Sequence, residues 1–399
     1  MRLIHTSDWH LGRTFHRVGL PDAQMSFLDH LVDVVRQERV DVVLVAGDIY
    51  DRALPSVDTV ALLDDALARL REAGAQVVLS SGNHDSPRRL GFGSRVMAHG
   101  GVHVRTDPSQ VAAPVLLDDD SGPVAIYPLP YLEPSLVGPA LGMAPGQPLT
   151  HQSVLTQAMR AVRADLAARA PGTRSIVAAH AFVVGGQPSE SERDISVGGV
   201  SAVPTGVFDG VDYVALGHLH GRTTLAETVR YSGSPIAYSF SEVNQRKGSW
   251  LVDLDGAGVR EVGFVEAPVT RRLAVLRGRI EELLADPAHA AAEPAYCQIT
   301  LTDAERPRAA MDRLRVRFPH TLVLTFEPEG AATSLRDYGT RVRGRADLDI
   351  CCDFLDHVRG GNSATAAERE LLQAALEAGR EAERAPASAA PGRRDVGAA

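Results

Sequence analysis

This sequence predicts an α/β chain, and three observations carry the prediction. Apolar, β-branched runs such as Val42 to Val45 and Val77 to Leu79 are almost continuous, as strands buried on both faces of a parallel sheet must be. Stretches with helical spacing separate them, giving the order strand, helix, strand, helix, strand. The strands then end in polar loops loaded with carboxylates and imidazoles.

The elements follow in order. A short strand around Leu3 and Ile4 stops at Ser7-Asp8-Trp9-His10. An amphipathic stretch from about Asp22 to Glu38 places Phe27, Leu28, Leu31 and Val35 near one helical face. The run VDVVLVAGD from Val40 is an apolar strand ending at Gly47-Asp48. A helix beginning at Ser56 or Asp58 carries Leu62, Leu63, Leu67 and Leu70 into the strand Gln76 to Leu79. That strand meets Gly82, where the backbone turns without a side chain to clash, and delivers Asn83, His84 and Asp85 together.

Beyond Gly100 the texture changes to short strands (Val102 to Arg105, Val115 to Leu117, Val124 to Pro128) and a Pro/Gly-rich connection to Pro148. A helix over about 150–169 leads to the strand Arg174 to Ala179 and then to His180. Residues 183–205, rich in Gly and Ser, read as a long loop. The strand Asp212 to Leu216 ends at Gly217-His218-Leu219-His220, and β texture continues to about Glu266. Helical and strand periods thus alternate twice, which predicts two sheets packed face to face with helices outside.

The predicted domains are 1–267, a small α/β unit over 268–327, a linker over 328–346, a helical segment over 347–385 and a disordered tail over 386–399. A chain of 399 residues suits more than one core. Hydrophobic content of 44% without a long uncharged apolar run excludes a membrane span by sequence. The first ten residues contain no secretory pattern, so a cytoplasmic protein is expected. Cys297, Cys351 and Cys352 lack metal-ligand spacing, and the adjacent pair cannot readily bridge, which fits a reduced compartment. The net charge of -9 excludes a surface that is basic everywhere, but two bound divalent cations would reverse the sign at one spot.

The strand ends gather a chemistry-bearing set: Asp8 and His10, Asp48, Asn83 with His84, His180, and His218 with His220. In an α/β sheet, groups at the carboxyl ends of strands converge on one crevice even when far apart in sequence. Carboxylate and imidazole together suit borderline divalent metals, and one carboxylate can bridge two ions about 3.5 to 4 Å apart. Asp48, alone on a central strand, is the natural bridge. Taken singly, each residue has a plainer use as a turn former, a helix cap or a packed histidine.

In this order, D-x-H at Asp8 and His10, G-D at Asp48, G-N-H-D at Gly82 to Asp85, the strand-end His180 and G-H-x-H at His218 and His220 resemble the calcineurin-like metallophosphoesterases. The stretches HTSDWHLGRTF, SERDISVGGV and YSGSPIAYSFSE further resemble the SbcD-type nuclease subunits of that superfamily. The resemblance implies a four-layer α/β/β/α metallophosphoesterase sandwich with a small α/β capping domain and a C-terminal helical segment. It implies that Asp8, His10, Asp48 and His220 hold one metal, and Asp48, Asn83, His180 and His218 the other, with Mn²⁺ expected. His84, free of metal, is then the expected proton donor to the leaving oxygen, with Asp85 orienting its ring.

The expected activity is exo- and endonucleolytic hydrolysis of DNA phosphodiesters in end processing, repair and recombination. The expected partners are an SbcC-type coiled-coil ATPase, docked on the C-terminal helix, and a second copy of the chain within a heterotetramer. A two-metal phosphodiesterase or phosphatase acting on a small molecule is the alternative. At Asp51 the pattern departs from the archaeal relatives, which carry a histidine shortly after G-D. Arg13, Arg17, Arg52, Arg88, Arg89 and Arg95 flank the motifs, as expected beside a phosphate backbone.

Overall fold

The computed structural model describes residues 1–192, 202–329, 345–359 and 362–384. Their contacts divide into two units, Met1–Val275 and Leu276–Ala399. Along the first unit run β1 (Arg2–Thr6), a short hairpin of β2 (Thr14–Phe15) and β3 (Val18–Gly19), α1 (Pro21–Glu38), β4 (Val42–Ala46), α2 (Val57–Glu72) and β5 (Gln76–Ser80). Two short helices, α3 (Pro87–Leu90) and α4 (Ser94–His99), lead to β6 (Val102–Arg105), β7 (Val115–Asp119) and β8 (Gly122–Pro128). Then come α5 (Pro134–Val137), α6 (His151–Ala167), β9 (Arg174–His180), β10 (Tyr213–Gly217), β11 (Thr223–Ala226), β12 (Val229–Tyr231), β13 (Gly248–Asp255) and β14 (Gly258–Glu266).

Local chemistry sets the helix starts. The Ser56 hydroxyl accepts from the Thr59 N–H at 3.2 Å and caps α2, while Thr150 and Ser153 cap α6 reciprocally. The first sheet has the order β14-β13-β1-β4-β5-β6, with β1, β4, β5 and β6 parallel. The second has the order β11-β12-β10-β9-β8-β7, with β8, β9, β10 and β12 parallel. The parallel strands therefore form the centre of each sheet, and antiparallel strands join them at the edges. Strands β13 and β14 add antiparallel beside β1, and β7 and β11 close the second sheet antiparallel. The alternating Trp250, Val252 and Leu254, all buried, are what an antiparallel strand with one core face requires.

Strand alternation builds the layers. From β4, Val43 and Val45 face Phe27, Leu28 and Leu31 of α1 and Leu63 and Leu67 of α2. The intervening Val42, Leu44 and Ala46 face Ile126, Ile176, Ala178 and Ala215 of the second sheet. The far side of that sheet, with Tyr127, Val177 and Leu216, packs on Val154, Leu155, Met159 and Val162 of α6. The result is helix, sheet, sheet, helix. Between the sheets, His5 Nε2 lies 3.1 Å from the Leu216 carbonyl and Nδ1 lies 3.0 Å from the Tyr213 hydroxyl. A carbonyl only accepts, so Nε2 carries the proton and Nδ1 accepts from Tyr213. Burial pushes His5 down to about 3, so the ring stays neutral.

The second unit begins within β15 (Leu273–Gly278), which is followed in its sheet by β16 (Tyr296–Leu301) and β17 (Thr321–Phe326), with α7 (Ile280–Ala285) and α8 (Ala310–Arg317). Its buried residues include Ile280, Leu283, Cys297, Ile299, Leu314 and Phe318. The helical segment expected from 347 consists of α9 (Asp347–Val358) and α10 (Ala366–Arg384), the latter opened by reciprocal capping between Thr365 and Glu368. Most of the expected linker, all of the tail from 386 and most of SERDISVGGV lie outside the described residues. Of the loop expected over 183–205, the described ends carry a Val183–Val203 bridge. No described helix is long and apolar enough to cross a membrane.

Candidate metal centre

The carboxyl ends of β1, β4 and β5 in one sheet and of β9 and β10 in the other open at the same place. Parallel register makes this so: Gly217 pairs with His180, and Ala46 with Ser80. The loops after β1 and β4 are stitched together, Asp8 N–H donating to Gly47 O at 3.1 Å and His10 N–H to Asp48 O at 3.0 Å. Close approach explains the glycines. A Cβ at Gly82 would stand 2.1 Å from Asp48 Oδ1, and one at Gly217 would stand 1.9 Å from the Ala46 carbonyl oxygen. Asp8 (φ 53°), His10 (φ 44°), Asp48 (φ 51°) and His218 (φ 106°) all hold left-handed backbone, which costs about 1 to 3 kcal/mol per residue and concentrates where function fixes geometry.

The side chains converge as expected from the sequence. The donor atoms of Asp8, His10 and His220 lie within 4.8 Å of one another, as do those of Asp8, Asp48 and His180, and those of His10, Asp48 and His84. All of these residues are buried. His10 Nε2 and His220 Nε2 face each other at 3.0 Å. His180 Nε2 lies 2.9 Å from Asn83 Oδ1 and 3.4 Å from Asp48 Oδ2. The His218 ring stands edge-on to His180 at 5.4 Å, and the main-chain N–H of His218 donates to both Asp8 oxygens at 3.1 Å. His84 Nε2 comes within 3.9 Å of Asp48 Oδ2, so geometry alone does not set His84 apart from the other donors.

Burial and mutual charge shift the titrating groups of the cluster. Burial raises the Asp8 carboxyl to about 6. Burial also opposes ionisation of Asp48, yet His180, by charge and hydrogen bond, with His10 and His84 behind it, holds Asp48 well below the usual carboxylate range. His180 is raised to about 9, because Asp48 and then Asp8 outweigh its burial. Burial leaves His10 and His218 neutral, His218 at about 3. Buried imidazole nitrogens, carboxylates and an amide oxygen crowded round Asp48 are a donor set that fits divalent ions, and the buried His10 Nδ1 has no hydrogen-bond partner among the described residues.

The structure corrects one expectation. Both oxygens of Asp85 are taken by main chain, accepting from the N–H groups of Ile49 (3.1 Å), Tyr50 (2.9 Å) and Gly82 (2.9 Å). Asp85 therefore ties the loop after β5 to the loop after β4 and does not orient His84. A carboxylate three residues after a glycine finds the N–H groups of its own turn first. His84 is placed instead by its Nδ1, 2.7 Å from the Asp51 carbonyl oxygen, and by its N–H, which donates to Asp48 Oδ1 at 2.8 Å.

Further residues stand close about the cluster. Ser7 donates to Asp8 Oδ2 at 2.5 Å, Gln24 donates to the His10 carbonyl at 3.1 Å, and the Tyr238 hydroxyl donates to the Trp9 carbonyl at 2.6 Å. The Asp51 carboxylate stands 3.9 Å from both His10 Nδ1 and His84 Nδ1. Among the flanking arginines, Arg13 stacks on Tyr238 at 5.0 Å and donates to the Ser191 carbonyl at 2.5 Å, while Arg52 reaches Asp51 at 3.5 Å from an exposed position. Ser191 and Tyr238 belong to the stretches SERDISVGGV and YSGSPIAYSFSE.

Residues 1–222 match the calcineurin-like phosphoesterase family. Residues 269–359 match the SbcD C-terminal family, described as the type 5 capsule protein repressor C-terminal domain. Similar solved structures include TT1561 of Thermus thermophilus, 12% identical, covering 66% of this chain and 98% of that one with a TM-score of 0.38. A dimetal phosphatase from Danio rerio is 14% identical and covers 67% and 99%, with a TM-score of 0.35. GAP50, the anchor in the inner membrane complex of Plasmodium, is 10% identical and covers 82% and 98%, with a TM-score of 0.34.

Proposed function

We propose, from the premise that the chain belongs to the calcineurin-like phosphoesterase family, that it is a Mn²⁺-dependent DNA nuclease working with a coiled-coil ATPase of the SbcC type. The observation that carries this reading is the pairing of two features in one chain. Buried carboxylates and imidazoles cluster about Asp48, and residues 269–359 match the C-terminal domain named for the nuclease subunit. In this reading Asp8, His10, Asp48 and His220 hold one ion, and Asp48, Asn83, His180 and His218 the other.

Bound ions would neutralise the phosphate and make hydroxide available near neutral pH. The chain supplies the rest. His84 keeps its Nδ1 proton on the Asp51 carbonyl, so a doubly protonated ring can release the Nε2 proton to a departing alkoxide without turning. The same reading assigns residues 268–327 as a capping domain, 347–385 as the partner-docking segment, and the assembly as a homodimer within a heterotetramer.

The test is hydrolysis of end-labelled duplex and hairpin DNA by the purified chain with Mn²⁺, with and without a co-expressed coiled-coil ATPase. Metal-dependent cleavage accelerated by the ATPase supports the reading. Rapid turnover of a small phosphodiester with DNA left intact would replace it by the small-molecule alternative.

A further inference from the structure

The buried pair of Glu242 and Lys247, close beside the cluster, has no place in the reaction as described so far. Both side chains are almost fully shielded from solvent, and Glu242 Oε2 meets Lys247 Nζ at 2.5 Å. If the carboxylate existed only to balance that ammonium, its other oxygen could face anything. Instead Oε1 lies 3.3 Å from His220 Nδ1 and accepts from the hydroxyls of Ser189, at 3.1 Å, and Ser191.

The proton directions are forced. A carboxylate can only accept, so the Ser191 hydroxyl gives its hydrogen to Glu242. The Ser191 oxygen, 2.6 Å from His220 Nδ1, is then left as an acceptor, so Nδ1 must carry the ring proton. His220 Nε2 is consequently the lone-pair nitrogen, and it points at His10 Nε2 across 3.0 Å. The main chain of the same residue is gripped as well, its N–H donating to Glu192 Oε1 at 2.7 Å and its carbonyl accepting from Lys247 Nζ at 2.8 Å.

We propose that Glu242 is a positioning residue: through Ser191 and directly, it fixes the tautomer and aim of His220, so that Nε2 faces the ion shared with Asp8, His10 and Asp48. The inference rests on the ligand role given to His220 above. Partners of this kind that hold a ligating histidine contribute about 10- to 100-fold in metal affinity.

The test is calorimetric titration of the metal-free full chain with Mn²⁺, together with its unfolding midpoint without metal, for the parent, His220→Ala, Glu242→Gln and the double variant Glu242→Gln/Lys247→Met. The double variant leaves no buried charge unpaired, so it separates the effect of an unpaired charge on folding from the loss of the holds on His220, which it removes at both the ring and the carbonyl. Expected are two sites in the parent, one site lost or strongly weakened in His220→Ala, and one site weakened about 10-fold or more in Glu242→Gln. The double variant keeps the weakened site while regaining the parent's midpoint. Parent-like affinity in Glu242→Gln, or affinity restored in the double variant, overturns the proposal. Should Glu242→Gln fail to fold, the double variant decides alone. Parent-like binding by His220→Ala would instead remove the ligand assignment beneath it.

Discussion

Two histidines of the cluster are anchored in opposite ways. His180 Nδ1 donates to the main-chain carbonyl of Ala46, 3.0 Å away on the facing sheet, whereas His220 Nδ1 meets the side chains of Ser191 and Glu242. The first anchorage is a property of the packed strands, so any sequence that folds this way supplies it. The second depends on particular side chains brought in by loops. One half of the centre is therefore set by topology and the other by residue choice.

The strand-held half breaks hardest at Gly217. A Cβ there would run into the Ala46 carbonyl, the same oxygen that holds His180, and a main-chain atom between two sheets cannot step aside. Gly217→Ala is expected to cost about 3 kcal/mol or more, seen as a large fall in the urea midpoint. A midpoint like the parent's would show the sheets to be more yielding than their register implies.

A second change sharpens the contrast without touching the frame. His84→Ala should lower phosphodiester turnover by about 100-fold or more while Mn²⁺ titration stays near the parent. Loss of a bound ion in that variant would move His84 among the ligands, which its 3.9 Å approach to Asp48 allows.

On the side-chain-held half, Ser191→Ala removes one acceptor from His220 and should weaken Mn²⁺ by at most about 10-fold, with stability lowered by about 1 kcal/mol. An unfolded protein would contradict the view that this half sits on a frame that stands without it.

The smallest effect is expected at Asp119 on β7. Its carboxylate accepts from the Arg174 guanidinium and from the Met1 ammonium at 2.6 Å, and Arg174 first among these holds it well below the usual range. A depressed folded pKa stabilises fully above the unfolded value, about 3.9, and that stabilisation is lost as pH falls through the folded value. Denaturant midpoints measured from pH 7 down to pH 2 should therefore fall less steeply for Asp119→Asn than for the parent. Parallel curves would reject this role.

The same division explains what could be read from the sequence. Continuous apolar strands and the polar groups at their ends obey spacing, so the layered core and the convergence of Asp8, His10, Asp48, His180 and His220 were legible. The antiparallel edge strands were not assigned, because pairing of β13 with β1, and of β14 with β13, is a long-range choice that local pattern leaves open. Asp85 was misjudged because its nearest neighbour in sequence, His84, is not its partner in space. Glu242 closes the stretch YSGSPIAYSFSE with no role of its own assigned from the sequence, and only the folded chain sets its carboxylate against a ring twenty-two positions away. Left-handed backbone at His10 is likewise invisible to propensity, which assigns that region to glycine and asparagine.

Strand β4 sends Val43 and Val45 to the helices, and Val42, Leu44 and Ala46 to the opposing sheet, before it delivers Asp48. It thus works as a ruler with a graduation of one residue. Deleting a single position between Val42 and Ala46 would exchange the two oily layers and rotate the aspartate out of the crevice. Substitutions can drift here so long as volume is kept, but the count of residues cannot.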